Sequence, residues 1–331
     1  MSERLINLFD SFNNKNVLII GDVMIDSYIW GKVERISPEA PVPIINVKKS
    51  EDRLGGAANV ALNVKSLGAN AILCSVIGND KNADLFLELL AQDNLSIQGI
   101  LKSDIRITTK KTRVIGHHQQ LFRVDEELDT NIDSSTTQEL LERIINEIDS
   151  KKIDVIIFED YDKGVISEGL IQSVVSKAKE KSIPVVVDPK KRNFLSYKGV
   201  DLFKPNLKEL KEGLKLDFDA HQTDELIAAA LKLKSIIQVK SIMITLSELG
   251  VLICDENGNK IIPAHVRNIS DVSGAGDTVI SVAALALSSN STLNTAAELA
   301  NLAGGLVCEK VGVVPIDKTE LLNEAILLEG K

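Results

Sequence analysis

Short apolar runs alternate with helix-period segments along most of the chain. Asn16-Val-Leu-Ile-Ile-Gly-Asp22 is an unbroken apolar run that stops at Gly-Asp, the pattern of a strand buried on both faces whose carboxyl end meets a loop. Runs of the same kind stand at 71–77, 155–158, 184–187, 202–203 and 241–245. Between them, 83–92, 135–148, 168–181 and 224–237 carry apolar residues at the spacing of helices with one buried face. This alternation predicts an α/β fold, a doubly wound and mostly parallel sheet with helices on both faces. Two stretches break it. Residues 27–48, with Pro38, Pro41 and Pro43, and residues 105–125 hold strand-forming positions with no helix between them. They predict a small separate β-sheet, with Gly21 and Gly116 at its turning points. Its expected place is a lid over the carboxyl ends of the main strands, where open α/β sheets take their ligands. The whole of 1–331 reads as one such domain, without internal repeat or low-complexity tract.

Composition narrows the setting. A chain with 44% hydrophobic and 26% charged residues is an ordinary globular one, and no run reaches the roughly 18 apolar residues that cross a bilayer. The first ten residues mix charged with apolar side chains and lack the apolar core of a secretory leader, so the expectation is a cytoplasmic protein with no membrane partner. A net charge of −9 argues against nucleic acid as a partner and requires any anionic ligand to find a locally positive pocket. Cys74, Cys254 and Cys308 are too scattered for a disulfide framework or a zinc site, and are expected to be core thiols. His117 and His118 are adjacent on a predicted strand, point to opposite faces and cannot chelate one ion; they read as lid or substrate-contact residues.

Two segments carry chemistry. Asp271-Val-Ser-Gly-Ala-Gly-Asp277 is a glycine-rich turn that runs into an apolar helical stretch. At such a helix start the amides of Gly274, Ala275 and Gly276 converge on one point, and the helix dipole adds to them, which makes an anion hole. Asp277, in the first turn, is placed either as the base that takes a proton from an attacking hydroxyl or as a helix cap. In the second segment, Gly55-Gly-Ala-Ala-Asn59, paired glycines open another helix. Gly55, Gly56 and Asn59 either offer amide groups to ligand hydroxyls or let the helix pack closely on the sheet. No Walker A loop and no strand-linked G-x-G-x-x-G fingerprint occurs, so a nucleotide would be held in another way.

Together and in this order, the two segments resemble the signatures of the ribokinase/PfkB family of carbohydrate kinases, and the resemblance covers nearly the whole chain. It implies a ribokinase-like fold, ATP with Mg2+ as the phosphoryl source, and Asp277 as catalytic base beside the Gly274, Ala275 and Gly276 anion hole. Lys204-Pro-Asn-Leu-Lys-Glu209 looks like the family's Asn-x-x-Glu motif, which places Asn206 near the nucleotide and Glu209 near the magnesium through water. By the same resemblance Thr245, Ser247, Glu248 and Gly250 line the nucleotide, Asn301 lies near the adenine, and the Asp271 loop holds a monovalent cation, K+.

Within the family, several stretches look like the D-glycero-β-D-manno-heptose-7-phosphate kinase branch. They are Gly21-Asp-Val-Met-Ile-Asp26, Arg35-Ile-Ser-Pro-Glu-Ala-Pro-Val-Pro43, Lys111-Thr-Arg-Val-Ile115, Gln119-Gln120 and Asp160-Tyr-Asp-Lys-Gly164. The implied reaction is phosphorylation of the anomeric hydroxyl of the 7-phosphate to the 1,7-bisphosphate, a step toward lipopolysaccharide precursors. Asp26, placed at the carboxyl end of the first strand, would then accept sugar hydroxyls, and Lys111, Arg113, Arg123 and Lys163 are the cations available to the substrate phosphate. Many members of that branch also carry a nucleotidyltransferase domain with a His-x-Gly-His motif. That motif does not occur here, so a kinase-only chain is expected. Exposed lid edges predict a homodimer. The competing readings are a kinase of the same family acting on ribose, fructose or a hexose phosphate, and a sugar- or nucleotide-binding regulator without catalysis.

Overall fold

The computed structural model describes residues 2–329 apart from 117, 118, 220 and 266, so His117 and His118 lie outside the described residues. The chain opens with helix α1 (Ser2–Phe12) and strand β1 (Asn16–Gly21), then leaves the main body in two long strands, β2 (Val23–Ile36) and β3 (Pro43–Gly56). It returns through α2 (Ala57–Ser66), β4 (Asn70–Gly78), α3 (Lys81–Gln92) and β5 (Ile100–Ser103), and leaves again in β6 (Lys110–Gly116) and β7 (Gln119–Glu126). The alternation resumes with α4 (Ser134–Ser150), β8 (Val155–Glu159), α5 (Glu168–Glu180), β9 (Val185–Asp188), β10 (Leu202–Phe203), α6 (Leu207–Leu214), α7 (Thr223–Ile237) and β11 (Ser241–Thr245). A hairpin of β12 (Val251–Cys254) and β13 (Asn259–Ile262) follows, and then α8 (Ala275–Ser288), α9 (Leu293–Cys308) and α10 (Lys318–Glu329).

The main sheet has nine strands in the order β13-β12-β11-β10-β9-β8-β1-β4-β5. All neighbours are parallel except the hairpin at one edge, where β11, β12 and β13 run antiparallel. Strand β1 lies at the switch in strand order, with Ile19 opposite Leu73 on one side and Ile157 on the other. Successive side chains of a strand point to opposite faces. Accordingly Val17 and Ile19 join one apolar layer with α1, α2, α8 and α9, whereas Leu18 and Ile20 join a second with α4, α5 and α7. The unbroken apolar runs are therefore strands covered on both sides. Cys74, Cys254 and Cys308 are buried free thiols. No described helix is long and apolar enough to cross a membrane.

The small sheet has the order β3-β2-β6-β7, with β2 and β6 parallel and the other neighbours antiparallel. Its strands extend beyond 27–48, because β2 and β3 pair from Val23 opposite Gly56 to Ile36 opposite Pro43. The Gly-Gly pair therefore ends a strand before it opens α2. In the second stretch, 105–109 precede the strand pair and β6 begins at Lys110. The sheet springs from the carboxyl end of β1 within two residues, which brings its buried base, Ile25, Tyr28 and Leu54, beside the ends of the main strands.

Candidate active site

The start of α8 is the centre of the site. Gly274 is its N-cap with φ of 78°, a left-handed conformation that favours glycine, and a Cβ there would lie 2.9 Å from Asn59 Nδ2. Ala275, Gly276 and Asp277 form the first turn, where backbone amides have no carbonyl partner within the helix. These are the amides from which an anion hole is expected. Asp277 does not cap its own helix. Asp277 is 3% exposed, and its carboxylate accepts two bonds, one on each oxygen: Asn59 Nδ2 donates to Oδ2 at 2.7 Å, and the Tyr161 hydroxyl donates to Oδ1 at 2.7 Å. Burial pushes the carboxyl up to about 6; the two donors pull it down, and Asp188 and Asp26 push it further up.

Of the two readings of the second segment, the close-packing one holds. Helix α2 packs on β1 and β4 of the sheet and on α8, with Ala57, Ala58 and Ala61 buried. Asn59 nonetheless has a polar task, since one of its N–H groups is committed to Asp277. One turn on, Asn63 Oδ1 accepts from Thr278 Oγ1 and from the Ile316 amide, both at 3.0 Å, and so locks the two helix starts together. Gly56, with φ of 59°, makes the turn from β3 into α2, and Gly55 leaves room for Asp26, whose Oδ2 lies 2.1 Å from where a Cβ at position 55 would stand.

Asp26 sits elsewhere than the sequence suggested. It belongs to β2 of the small sheet rather than to the end of β1, because β2 starts only two residues after Gly21. Its carboxylate forms an ion pair with Arg113 of β6, on the neighbouring strand, and both side chains are largely buried. The other nominated cations are paired as well. Lys111 reaches Glu127 at 2.7 Å and Asp125 at 3.4 Å, Lys163 reaches Glu127 at 2.9 Å, and Arg123 reaches Asp125 at 2.7 Å. Against the effect of burial, Lys111 and Lys163 hold Glu127 below its ordinary value.

A cavity of about 590 Å³ runs from Asn301, Gly304 and Gly305 of α9 to Ala275 and Gly276. Thr245, Ser247, Glu248 and Gly250 form another wall, so the predicted nucleotide residues of that segment and Asn301 converge on one space. Asn301 also donates to the Pro263 carbonyl at 2.9 Å. Asn206 does not line this cavity. It is the N-cap of α6 in a reciprocal capping box with Glu209, each side chain accepting the other's backbone N–H at 2.8 Å. Glu209 also pairs with Lys190. Asp271 accepts the amides of Ser273 and Gly312, each at 2.9 Å, while Arg53 donates to the carbonyls of Val311 and Val313 at 3.1 and 3.0 Å. Among the described residues no group of three or more His, Cys, Asp or Glu side chains is arranged to hold a metal. A single carboxylate such as Glu209 fits a hard divalent ion carried mainly by phosphates and water.

Sequence reasoning missed the groups at the carboxyl ends of the central strands. Lys204 follows β10, Asp188 ends β9, and the two pair at 2.7 Å while almost fully buried. They border the start of α8: from a Cβ placed at Gly276, Asp188 Oδ2 would be 3.5 Å and Lys204 Nζ 3.7 Å away. Burial works against the Lys204 charge, yet Asp188 and Glu209 hold its pKa above the ordinary value. Glu159 ends β8, and burial and the nearby Asp188 and Asp277 push its carboxyl well up. Tyr161 was read only as part of a local motif. The available signal was charge standing directly after buried strands, as in Glu159-Asp160, Asp188 and Lys204.

Comparison with known proteins shows the family and the fold. The pfkB family of carbohydrate kinases matches residues 14–319. The bifunctional protein HldE of Methylobacillus flagellatus is 41% identical over 308 residues, covering 93% of this chain and 62% of that protein. HldE of Helicobacter hepaticus is 42% identical over 307 residues, with 93% and 63% covered. The chain thus spans somewhat less than two thirds of the length of these curated relatives. Among solved structures, Escherichia coli phosphofructokinase-2 in complex with potassium superposes with a TM-score of 0.79 at 18% identity, over 95% of this chain and 99% of that one. Arabidopsis thaliana ribokinase complexed with ribose and ATP gives 0.71 at 16%, over 93% and 99%, which shows a shared fold.

Proposed function

Because the chain belongs to the pfkB family of carbohydrate kinases, we propose that it transfers a phosphoryl group from ATP to the anomeric hydroxyl of D-glycero-β-D-manno-heptose 7-phosphate, with Asp277 as general base. The observation that carries the catalytic part is the Asp277 carboxylate, held by Asn59 and Tyr161 beside helix amides at the end of the 590 Å³ cavity. The run Arg35-Ile-Ser-Pro-Glu-Ala-Pro-Val-Pro43 and the extent of the likeness to the HldE proteins support the heptose phosphate.

The residues divide the work as follows. Thr245, Ser247, Glu248, Gly250 and Asn301 bind the nucleotide in the cavity. Asp26, Gly55, Gly56 and Asn59 face the sugar from the small sheet and α2. Asp277 takes the proton of the acceptor hydroxyl as that oxygen attacks phosphorus, and the amides of Gly274, Ala275 and Gly276 with the α8 dipole stabilise the charge on the group in transit. Lys111, Arg113 and Lys163 exchange their carboxylate partners for the substrate phosphate, which concentrates positive charge only when the anion arrives. ATP and a divalent metal belong to the family's chemistry; Mg2+ neutralises phosphate charge when bound, and Glu209, with Asn206 beside it, would hold it through water. Asp271 and its loop are the place for K+. The small sheet closes over the acceptor as a lid on a single catalytic domain, excluding water. Its exposed Leu121, Phe122 and Val124 pair two copies of a cytoplasmic enzyme that binds neither nucleic acid nor membrane.

A panel of acceptors with ADP release as readout tests the substrate. The expected result is highest kcat/KM for heptose 7-phosphate; preference for ribose, fructose or a hexose phosphate would reject it.

A further inference from the structure

Tyr161 reaches the site from a loop whose shape is fixed by one buried carboxylate. Asp22, the residue after β1, accepts the backbone amides of Tyr161 at 2.9 Å, Lys163 at 3.1 Å and Val165 at 3.0 Å. Glycine at 164 adopts φ of 88° and lets the loop turn within that span. The Tyr161 ring is faced by Lys190 Nζ, 5.3 Å from its centroid, and Lys190 is itself paired with Glu209. Ring and loop together aim the hydroxyl at Asp277 Oδ1, opposite the oxygen that Asn59 holds.

A carboxylate that is to act as base must be ionised before the acceptor hydroxyl arrives, and it must present a fixed oxygen. Both conditions are hard to meet here. Asp277 is buried, and the charged or ionisable groups facing it from the surrounding elements are Glu159 of β8, Asp188 of β9 with Lys204 after β10, and Asp26 of β2 with Arg113 of β6. Burial, Asp188 and Asp26 all oppose a further negative charge. Two neutral donors favour it, Asn59 and Tyr161. The phenol is raised well above its ordinary value by burial and by Asp277, so it remains a donor throughout the working range.

We propose that Tyr161 is a positioning residue for the reaction: in the free enzyme its hydroxyl orients Asp277, keeps the carboxylate ionised, and occupies on Oδ1 the place of the acceptor hydroxyl. The proposal rests on the reading of Asp277 as base and adds a donor that the acceptor must replace. It also gives Asp22 a role, that of setting the Tyr161 loop.

The test is the pH dependence of kcat/KM for the acceptor in Tyr161→Phe, which keeps the ring and removes the donor, with Asp277→Asn measured beside it. Losing a donor to a carboxylate raises its pKa, so the acid limb should move up by about one pH unit, with activity recovering toward wild type at alkaline pH. An acid limb left where it stands in the wild type, or a loss equal at every pH, would overturn the proposal. Should Tyr161→Phe fail to melt cooperatively, wild-type enzyme carrying 3-fluorotyrosine, a stronger donor, should show the limb moved down; an unmoved limb there also overturns it. Near-normal turnover in Asp277→Asn would instead remove the underlying reading, so the two failures are distinct.

Discussion

The Asn59 side-chain amide donates to Asp277 Oδ2 at 2.7 Å across 218 residues of chain, joining the first turn of α2 to the first turn of α8. One bond thereby connects the two glycine-opened helix starts that stood out in the sequence. Replacing Asn59 by Ala removes a donor to a buried carboxylate. Turnover at neutral pH should fall by about 10- to 100-fold, since a charge-assisted bond contributes roughly 1.5–3 kcal/mol. The acid limb of the kcat/KM profile should move upward. A pH profile of the variant checks both; an unmoved limb contradicts the assignment.

Lys204 and Asp188 form a nearly buried pair beside Gly276 at the start of α8. Lys204→Met leaves Asp188 without its partner, and losing one member of such a pair costs about 3–5 kcal/mol. Chemical denaturation should show that loss, and adding Asp188→Asn should return much of it. If the single and double variants are equally destabilised, the pair is not what holds these strand ends.

The buried Asp277 carboxyl also makes stability depend on pH. Asp277 is raised to about 6 in the folded chain, above its unfolded value near 3.9. Its protonated form is favoured by folding, so its contribution is fully present below about pH 4 and is lost as pH rises through about 6. Asp277→Asn removes that dependence. The variant should gain on the order of 3 kcal/mol on wild type from below pH 4 to pH 7.5, with no further gain above. Urea denaturation at several pH values measures this; a stability difference constant with pH refutes it.

How far the sequence carried this picture differs between scaffold and site. The strands at 71–77 and 155–158 were legible because burial on both faces leaves unbroken apolar runs, and α8 was legible because Gly274 and Gly276 mark its start. The hairpin β12–β13 was not, since four-residue edge strands carry little periodicity. Asp26 was placed on the wrong element because nothing in Gly21-Asp22-Val23 announces that the chain changes sheets there. Asp277 stands out in its own segment, whereas Tyr161 and Lys204 become neighbours of that segment only through folding. Cations such as Lys111 and Arg113 were visible as charges, but their pairing with Glu127 and Asp26 depends on cross-strand register.

The most direct measurement is the turnover of Asp277→Asn with its best acceptor, alongside its affinity for ATP. The substitution keeps shape and removes the basic oxygen. Turnover should drop by about 10²–10⁴-fold, the share usual for a general base, while ATP binding stays within about twofold of wild type. Near-normal turnover would contradict the assignment of Asp277 as base.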